Sequence, residues 1–443
     1  VAGAAPQTSS GVANDGVAIV VSDTGDREAL RGTIAALLRI GQQLGVPLVA
    51  CVVTDDESER NLLEIESFGV SVLRRRGPGY GAMIAAAAAA TSNPYIVTLR
   101  ADGAHPPELL RYLWAKRHEA DVIIASRYVD QGFASMPLWR QIASRTLNRT
   151  FRFMLDLPFH DLTSSYRLYR RSLLEAVGPV APTDAALAEV VIKGFCQGYS
   201  VAEVPMHYVA RARSSPPGYL RFIELGSDYI RTFGAMWTLR NSIASADYDT
   251  RAFNSRIPFQ RYWQRRRYAI LSDCIGTASR VLDAGCGSTQ LLNRFPHTVG
   301  MDYSLRKLRF MRRPGRRLVN ASTFDLPFRN EAFEVVISSQ VIEHLPDEPR
   351  LFEELARCVA PGGTLVIGTV DYGKWQWPLI ERVYGLLKPT GYAQEHITHF
   401  TEESLVRRIR DLGLSVERIR FICRGEIIIK AVKPHRQAVS TSP

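Results

Sequence analysis

The chain has 443 residues, 46% of them hydrophobic and 22% charged, and a formal net charge of +11 at pH 7. That length exceeds one ordinary core and fits two domains of about 200 residues each. The composition is that of a soluble globular protein; no apolar run reaches the ~18 residues of a membrane-crossing helix, no signal peptide is expected, and six cysteines without metal spacing suit a reducing compartment.

Residues 1–16 are small and polar and read as a disordered tail. From residue 17 to 131, strand and helix signals alternate. GVAIVVS reads as a buried strand, and DREALRGTIAALLRIGQQLG has helical spacing. PLVACVVTDD, PYIVTLRADG and DVIIASRYV read as further strands, giving the βαβ rhythm of a mostly parallel sheet. The alanine run 85–90 is a helix on propensity. Ligands of such sheets bind at the carboxyl ends of the strands, where Asp55, Asp56 and Asp102 lie. Carboxylates there bind a base or ribose, or chelate a divalent metal beside a diphosphate.

These pieces resemble glycosyltransferase family 2 with a GT-A fold, in particular its polyprenyl- and dolichyl-phosphate mannose synthase branch. The strings that carry the resemblance are VSDTGDREAL, TDDES, TLRADGAHPPELL, IIASRYV, PLWRQIASRTLN and DLTSSYRLYRR, over about residues 17–240. It implies nucleotide-sugar contacts at Asp26, Asp55, Asp56, Arg100, Asp102, Arg211 and Arg213, with the last two replacing a lysine of the family. It also implies an acceptor phosphate at Arg127, Arg140 and Ser144. Arg100 stands where the family has the first acid of DAD. Three readings stay open. Asp102 holds Mg2+ or Mn2+ through the donor diphosphate; or Arg100 neutralises the diphosphate itself; or the domain binds without catalysing. A lipid phosphate is already an anion and attacks without a general base. Asp161, in DLTS, is a base candidate for a hydroxyl acceptor, with turn capping as the alternative.

Residues 217–240 place Tyr219, Phe222, Ile223, Tyr229, Ile230, Phe233 and Trp237 on a helical stripe interspersed with arginines. Such a stripe packs a core or lies in a membrane interface. Residues 241–261 lack any sustained period and are expected to be a linker, leaving a second domain at 262–433 and a disordered tail at 434–443.

In the second half, SRVLDAGCGST reads as strand, glycine-rich turn and helix, with Gly285 and Gly287 in the turn. HTVGMDYS is a second strand ending in Asp302, an acid placed to accept ribose hydroxyls. These strings, with STFDLPFRNEAFEVVISSQVIEHLPD and LARCVAPGGTLVIGT, resemble the class I methyltransferases. The resemblance implies a Rossmann-like fold and S-adenosylmethionine, held by Asp283, Gly285, Gly287 and Asp302. Ser322 replaces an acid of the family at the adenine position, which leaves backbone groups or Asp325 for that contact. Glu343, His344, His396 and His399 are candidate bases for methyl transfer, each with a structural hydrogen-bonding role as the alternative.

The fold class is thus α/β in two domains, GT-A followed by Rossmann-like. The expected activity is bifunctional glycosyl and methyl transfer in glycan or glycolipid assembly, from a nucleotide sugar to an acceptor such as polyprenyl phosphate. The alternatives are a methyltransferase with a non-catalytic sugar- or lipid-binding domain, and a membrane-associated scaffold. Six arginines between 251 and 267, and seven bases between Leu305 and Arg317, have no acid among them. They are solvated faces or attract an anionic membrane. No nucleic-acid motif accompanies them, so nucleic acid is not expected as a partner. The expected location is cytoplasmic, with peripheral contact to the inner face of the cell membrane.

Overall fold

The computed structural model describes residues 16–54, 66–67, 69–74, 79–210, 219–387 and 396–435. The two expected tails lie outside the described residues, apart from Gly16, Pro434 and His435. The chain forms two compact units. One runs to Trp237 without residues 196–198; the other holds those three and everything from Thr238.

The strands of the first unit are β1 (Val17–Ser22), β2 (Leu48–Thr54), β3 (Ser71–Arg74), β4 (Tyr95–Arg100), β5 (Val122–Ser126), β6 (Phe133–Ser135), β7 (Arg167–Arg170), β8 (Val201–Pro205) and β9 (His207–Val209). Seven of them form one sheet in the order β3-β2-β1-β4-β7-β5-β8, and β6 pairs with β9 in a short ribbon. β1, β2, β3 and β4 run parallel; β7 is antiparallel to both of its neighbours. β1 and β5 are buried at every position. Strands covered on both faces read as unbroken apolar runs, which is how the sequence shows them. The chain leaves β1 on one side for β2 and on the other for β4, so a crevice opens at their carboxyl ends.

The second unit contains β10 (Val281–Ala284), β11 (Val299–Asp302), β12 (Arg317–Asn320), β13 (Phe333–Ser339), β14 (Val359–Val370), β15 (Ser415–Ile422) and β16 (Glu426–Val432). Their order is β12-β11-β10-β13-β14-β16-β15. The first five are parallel, and β16 and β15 close the edge antiparallel. The glycine-rich turn follows β10, again at the switch of direction. Each unit has its own buried apolar cluster, the first around Ile19, Val97 and Leu168, the second around Leu282, Val336 and Ile429.

The stretch 241–261, expected as a linker, differs. It contains the helix Tyr248–Phe253 and the start of the helix Pro258–Ile275. Polar contacts tie it to the glycine-rich turn. Thr250 Oγ1 donates to the Ser288 carbonyl at 2.7 Å, and Asp249 N–H donates to Ser288 Oγ at 2.9 Å. A helix of six residues that buries only Tyr248 and Ala252 is too short to show an apolar period.

The aromatic stripe lies on the helix Tyr219–Asn241. The side chains of 219–223 lie outside the described residues. Tyr229 and Phe233 meet the Phe151 ring edge-on, at 6.4 and 5.2 Å, and Met236 is buried. Ile230 and Trp237 face outward. The stripe therefore splits into a packing face and an exposed remainder. No helix among the described residues is long and apolar enough to cross a membrane.

Candidate functional site

In the first unit, Asp26 caps the helix Arg27–Leu44 and accepts the Ala29 N–H at 3.0 Å. Asp23 stands at the end of β1, nearer the crevice. Its Oδ2 accepts Thr54 Oγ1 at 3.0 Å and lies 3.4 Å from Arg27, and its Oδ1 accepts the Gly25 N–H at 2.9 Å. Sequence reasoning missed Asp23, although an acid directly after a buried strand is the signal the strand-end rule uses. Asp55, Asp56, Arg211 and Arg213 lie outside the described residues.

Arg100 ends β4 and forms an ion pair with Asp184 at 2.8 Å. Asp184 in turn accepts the Tyr80 N–H at 3.0 Å. Asp102 Oδ1 accepts the Ala104 N–H at 2.9 Å and lies 2.8 Å from His105 Nδ1. Burial disfavours its charge, but His105, that N–H and Arg100 together hold the carboxyl below its usual range. The His105 ring meets Tyr208 edge-on at 5.3 Å. Arg127 and Arg140 approach the same Tyr208 ring, at 5.6 and 5.9 Å. Tyr208 thus joins Asp102, through His105, to Arg127 and Arg140, two of the three residues expected at the acceptor.

Arg127 is not a free phosphate clamp. Its Nε and Nη2 donate to the two oxygens of buried Asp161 at 2.8 and 2.7 Å, and its backbone N–H donates to Asp161 Oδ2 at 3.0 Å. Burial would raise the Asp161 pKa; the Arg127 guanidinium overrides it and holds the carboxyl low. With both oxygens engaged by a cation, Asp161 is a poor base. Arg127 also donates to Thr163 Oγ1 at 2.7 Å, and Thr163 lies 3.1 Å from Ser144 Oγ, which accepts the Tyr128 hydroxyl at 2.7 Å. Arg127 and Ser144 therefore share one polar network, while Arg140 points its charge at Tyr208. On the helix Leu138–Leu155 that carries Arg140 and Ser144, Leu138, Trp139 and Ile142 are exposed.

In the second unit, Gly285 and Gly287 have φ of 81° and 54°. A Cβ on Gly285 would run into the Val341 side chain, and one on Gly287 into Asp249 Oδ2. The turn is a cradle that only glycine completes. Asp302 Oδ2 accepts the Gly287 N–H at 2.8 Å and its Oδ1 the Ser304 N–H at 2.7 Å. Asp283 is buried, and burial, with the Asp302 and Asp249 carboxylates, pushes its pKa up to about 7. A nucleoside-bearing cation fits this set: acids for a ribose and a positive charge, and bare backbone for close approach.

Asp249 was missed because it stood in the expected linker. Its Oδ2 accepts the Ser288 N–H at 2.9 Å and lies 3.5 Å from Lys307 Nζ. Asp249 and Lys307 line a cavity of about 140 Å³ together with Trp263, Arg267, His344, Trp377, Glu381 and His396. Buried Glu426 fixes the base of that wall: Arg267 Nε and Nη2 donate to it at 2.6 and 2.7 Å, and Trp263 Nε1 donates as well. Ser322 Oγ accepts the Phe324 N–H at 3.2 Å, and Asp325 is exposed, 3.8 Å from Arg350.

Of the four candidate bases, His344 and His396 line this cavity. Glu343 is buried, with Oε2 accepting Thr369 Oγ1 at 2.9 Å, and burial pushes its pKa up to about 7. The His344 and His396 rings are 5.0 Å apart. Burial and the neighbouring His344 and His399 press His396 down to about 4, so it is a neutral imidazole at pH 7. His399 stacks on Tyr372 at 3.9 Å.

Comparison with known proteins falls along the same division. The family model "Glycosyl transferase family 2" matches residues 18–178, and the model "Methyltransferase domain" matches residues 255–419. A dolichyl-phosphate hexose transferase of Haloferax volcanii is 30% identical over 199 residues, which are 45% of this chain and 85% of that one. A polyprenol monophosphomannose synthase of Mycolicibacterium smegmatis is 38% identical over 129 residues, 26% of this chain and 46% of that one. A probable tRNA methyltransferase 9B of Mus musculus is 36% identical over 110 residues, 24% of each chain. The chain spans less than half of the second relative and about a quarter of the third.

Proposed function

Because the chain belongs to glycosyl transferase family 2 and joins a class I methyltransferase domain to that unit, we propose that it transfers a sugar from a nucleotide donor to polyprenyl phosphate and a methyl group from S-adenosylmethionine to that glycolipid or a related one. The observation that carries the first half is the run from Asp102 through His105 and Tyr208 to Arg140, beside the network of Arg127, Thr163 and Ser144. It sets an acid for the donor next to cations for an acceptor anion. Asp161, held by Arg127, does not serve as a base, and a phosphate acceptor needs none. The exposed Leu138, Trp139 and Ile142 beside Arg140 suit an acyl or prenyl chain and support contact with a membrane surface.

A divalent cation fits the donor side modestly. Asp102 Oδ1 is engaged by His105 and the Ala104 N–H, and among the described residues its Oδ2 accepts no hydrogen bond. One carboxylate suits Mg2+, which takes few protein ligands beside a diphosphate and water. When bound, the cation would neutralise the leaving diphosphate. Arg100 is paired with Asp184, which counts against its standing in for the metal. For methyl transfer, Asp302 and the glycine cradle would hold the ribose and bring the cofactor against the turn. Asp283 would face its positive charge, and the histidine-lined cavity would take the acceptor. Aligning donor and nucleophile is the main contribution such a site makes.

The test is a screen of nucleotide sugars with the full chain and a short polyprenyl phosphate, reading sugar in the organic phase, followed by S-adenosylmethionine bearing a labelled methyl group. Sugar transfer that Arg140→Ala weakens, with label incorporated into the lipid product, is the expected result. A second reading, a sugar- or lipid-binding unit without catalysis, is favoured by the reduced acid set at Arg100 and Asp102. Donor binding with no turnover under any metal would establish it.

A further inference from the structure

The geometry points to a divalent metal site of the zinc type formed by Glu343, His344 and His396, in the wall of the second unit's cavity, with a coordination position open to that cavity. It is independent of the identity of the sugar or the methyl acceptor. Each of the three side chains offers one ligand atom, and these atoms lie within 4.8 Å of one another. Ligands at about 2.0–2.2 Å from a tetrahedral ion stand roughly 3.5 Å apart. Small rotations about the imidazole and carboxylate torsions therefore bring the three into coordination range. Two imidazoles and one carboxylate, with room for a fourth ligand, form the donor set that zinc and its first-row neighbours take.

The second observation is the state of Glu343. Its Oε2 is engaged by Thr369, but Oε1 is buried and among the described residues accepts no hydrogen bond. A buried carboxylate oxygen left without a partner is costly, and a cation is the natural counterpart to it. The third is the outer support of His396. Its Nδ1 lies 2.8 Å from the Tyr372 hydroxyl, which donates to Glu381 Oε1 at 3.1 Å. Metal-ligating histidines are oriented by such a bond at one ring nitrogen. His344, His396 and Glu381 all line the cavity, so an ion held there is reached from it. A hydroxyl or water in the open position would lose its proton more readily than in bulk.

The experiment uses the full chain stripped with chelator and dialysed. Zn2+ is titrated by calorimetry and Co2+ by visible absorption, in the absence of any substrate. One equivalent of each metal should bind, with Co2+ giving tetrahedral or five-coordinate bands. Glu343→Gln and His396→Ala should each weaken binding by at least about 100-fold. His399→Ala and Asp102→Ala should leave it intact, the first as a neighbouring histidine outside the ligand set, the second as a metal candidate in the other unit. Glu343→Gln keeps volume and hydrogen bonding, and its melting temperature in metal-free buffer checks that the fold survives. Failure of both metals to bind at one equivalent would overturn the site. So would binding that persists in both Glu343→Gln and His396→Ala.

Discussion

Arg127 and Arg140 illustrate how one residue type serves two different ends in this chain. A guanidinium that donates to both oxygens of a fully buried carboxylate cannot be removed without stranding a charge. Arg127→Ala should therefore lower the stability of the unit by about 3–5 kcal/mol, read as a shift in urea midpoint. Arg140, half-buried over an aromatic ring, should cost far less stability when truncated. The Asp283 carboxyl gives a prediction in pH. Its pKa in the folded state, about 7, lies above the ordinary value near 4. The folded state then binds the proton more tightly than the unfolded state. The stabilisation from the neutral form is fully present below about pH 4 and is lost as pH rises through 7. Asp283→Asn, neutral throughout, should be more stable than the parent at pH 8 by on the order of a few kcal/mol, and so melt higher. At pH 4 the two should melt alike. Melting curves at both values decide it.

At the level of elements, the turn after β10 shows where sequence reading reached and where it stopped. Gly285, Gly287 and Asp302 were legible because the constraint is local: a tight turn after a buried strand needs residues without Cβ. What fills the space opposite was not legible. Val341 lies against Gly285, and Asp249 against Gly287, each brought there by a segment distant in sequence. Gly285→Ala should meet two separate costs, the left-handed φ and the clash with Val341, so cofactor affinity and stability should both fall. Adding Val341→Ala should restore only the part due to the clash and leave roughly 1–2 kcal/mol from the backbone. Full rescue by calorimetric titration of S-adenosylmethionine would show that φ relaxes instead. Asp23 and Asp26 make the same point in the other sheet. Three residues apart in one string, both are acids near a strand end, but only the geometry shows that Asp26 caps its helix while Asp23 accepts Thr54 at the end of β1. The helix inside the expected linker 241–261 went unread for a related reason: it buries only Tyr248 and Ala252, and its polar anchor, Ser288, is distant in sequence.

At the scale of the whole molecule, the division into two units with separate cores makes the two proposed transfers separable. Asp302 accepts backbone N–H groups within the glycine-rich turn of the second unit. Asp302→Ala should weaken S-adenosylmethionine binding by about 1.5–3 kcal/mol, the worth of a charge-assisted pair, while sugar transfer proceeds at the parent rate. Arg140→Ala should do the reverse. A chelator should affect both activities if both depend on metal, since it does not distinguish one ion from another; variants do. Asp102→Ala should abolish metal-dependent sugar transfer and spare zinc binding, whereas Glu343→Gln should spare sugar transfer and lose zinc. Assaying both reactions on the same four proteins, with and without chelator, makes the comparison. If Asp302→Ala slows sugar transfer as much as it weakens cofactor binding, the two units are energetically coupled, and the fusion does more than keep two catalysts together.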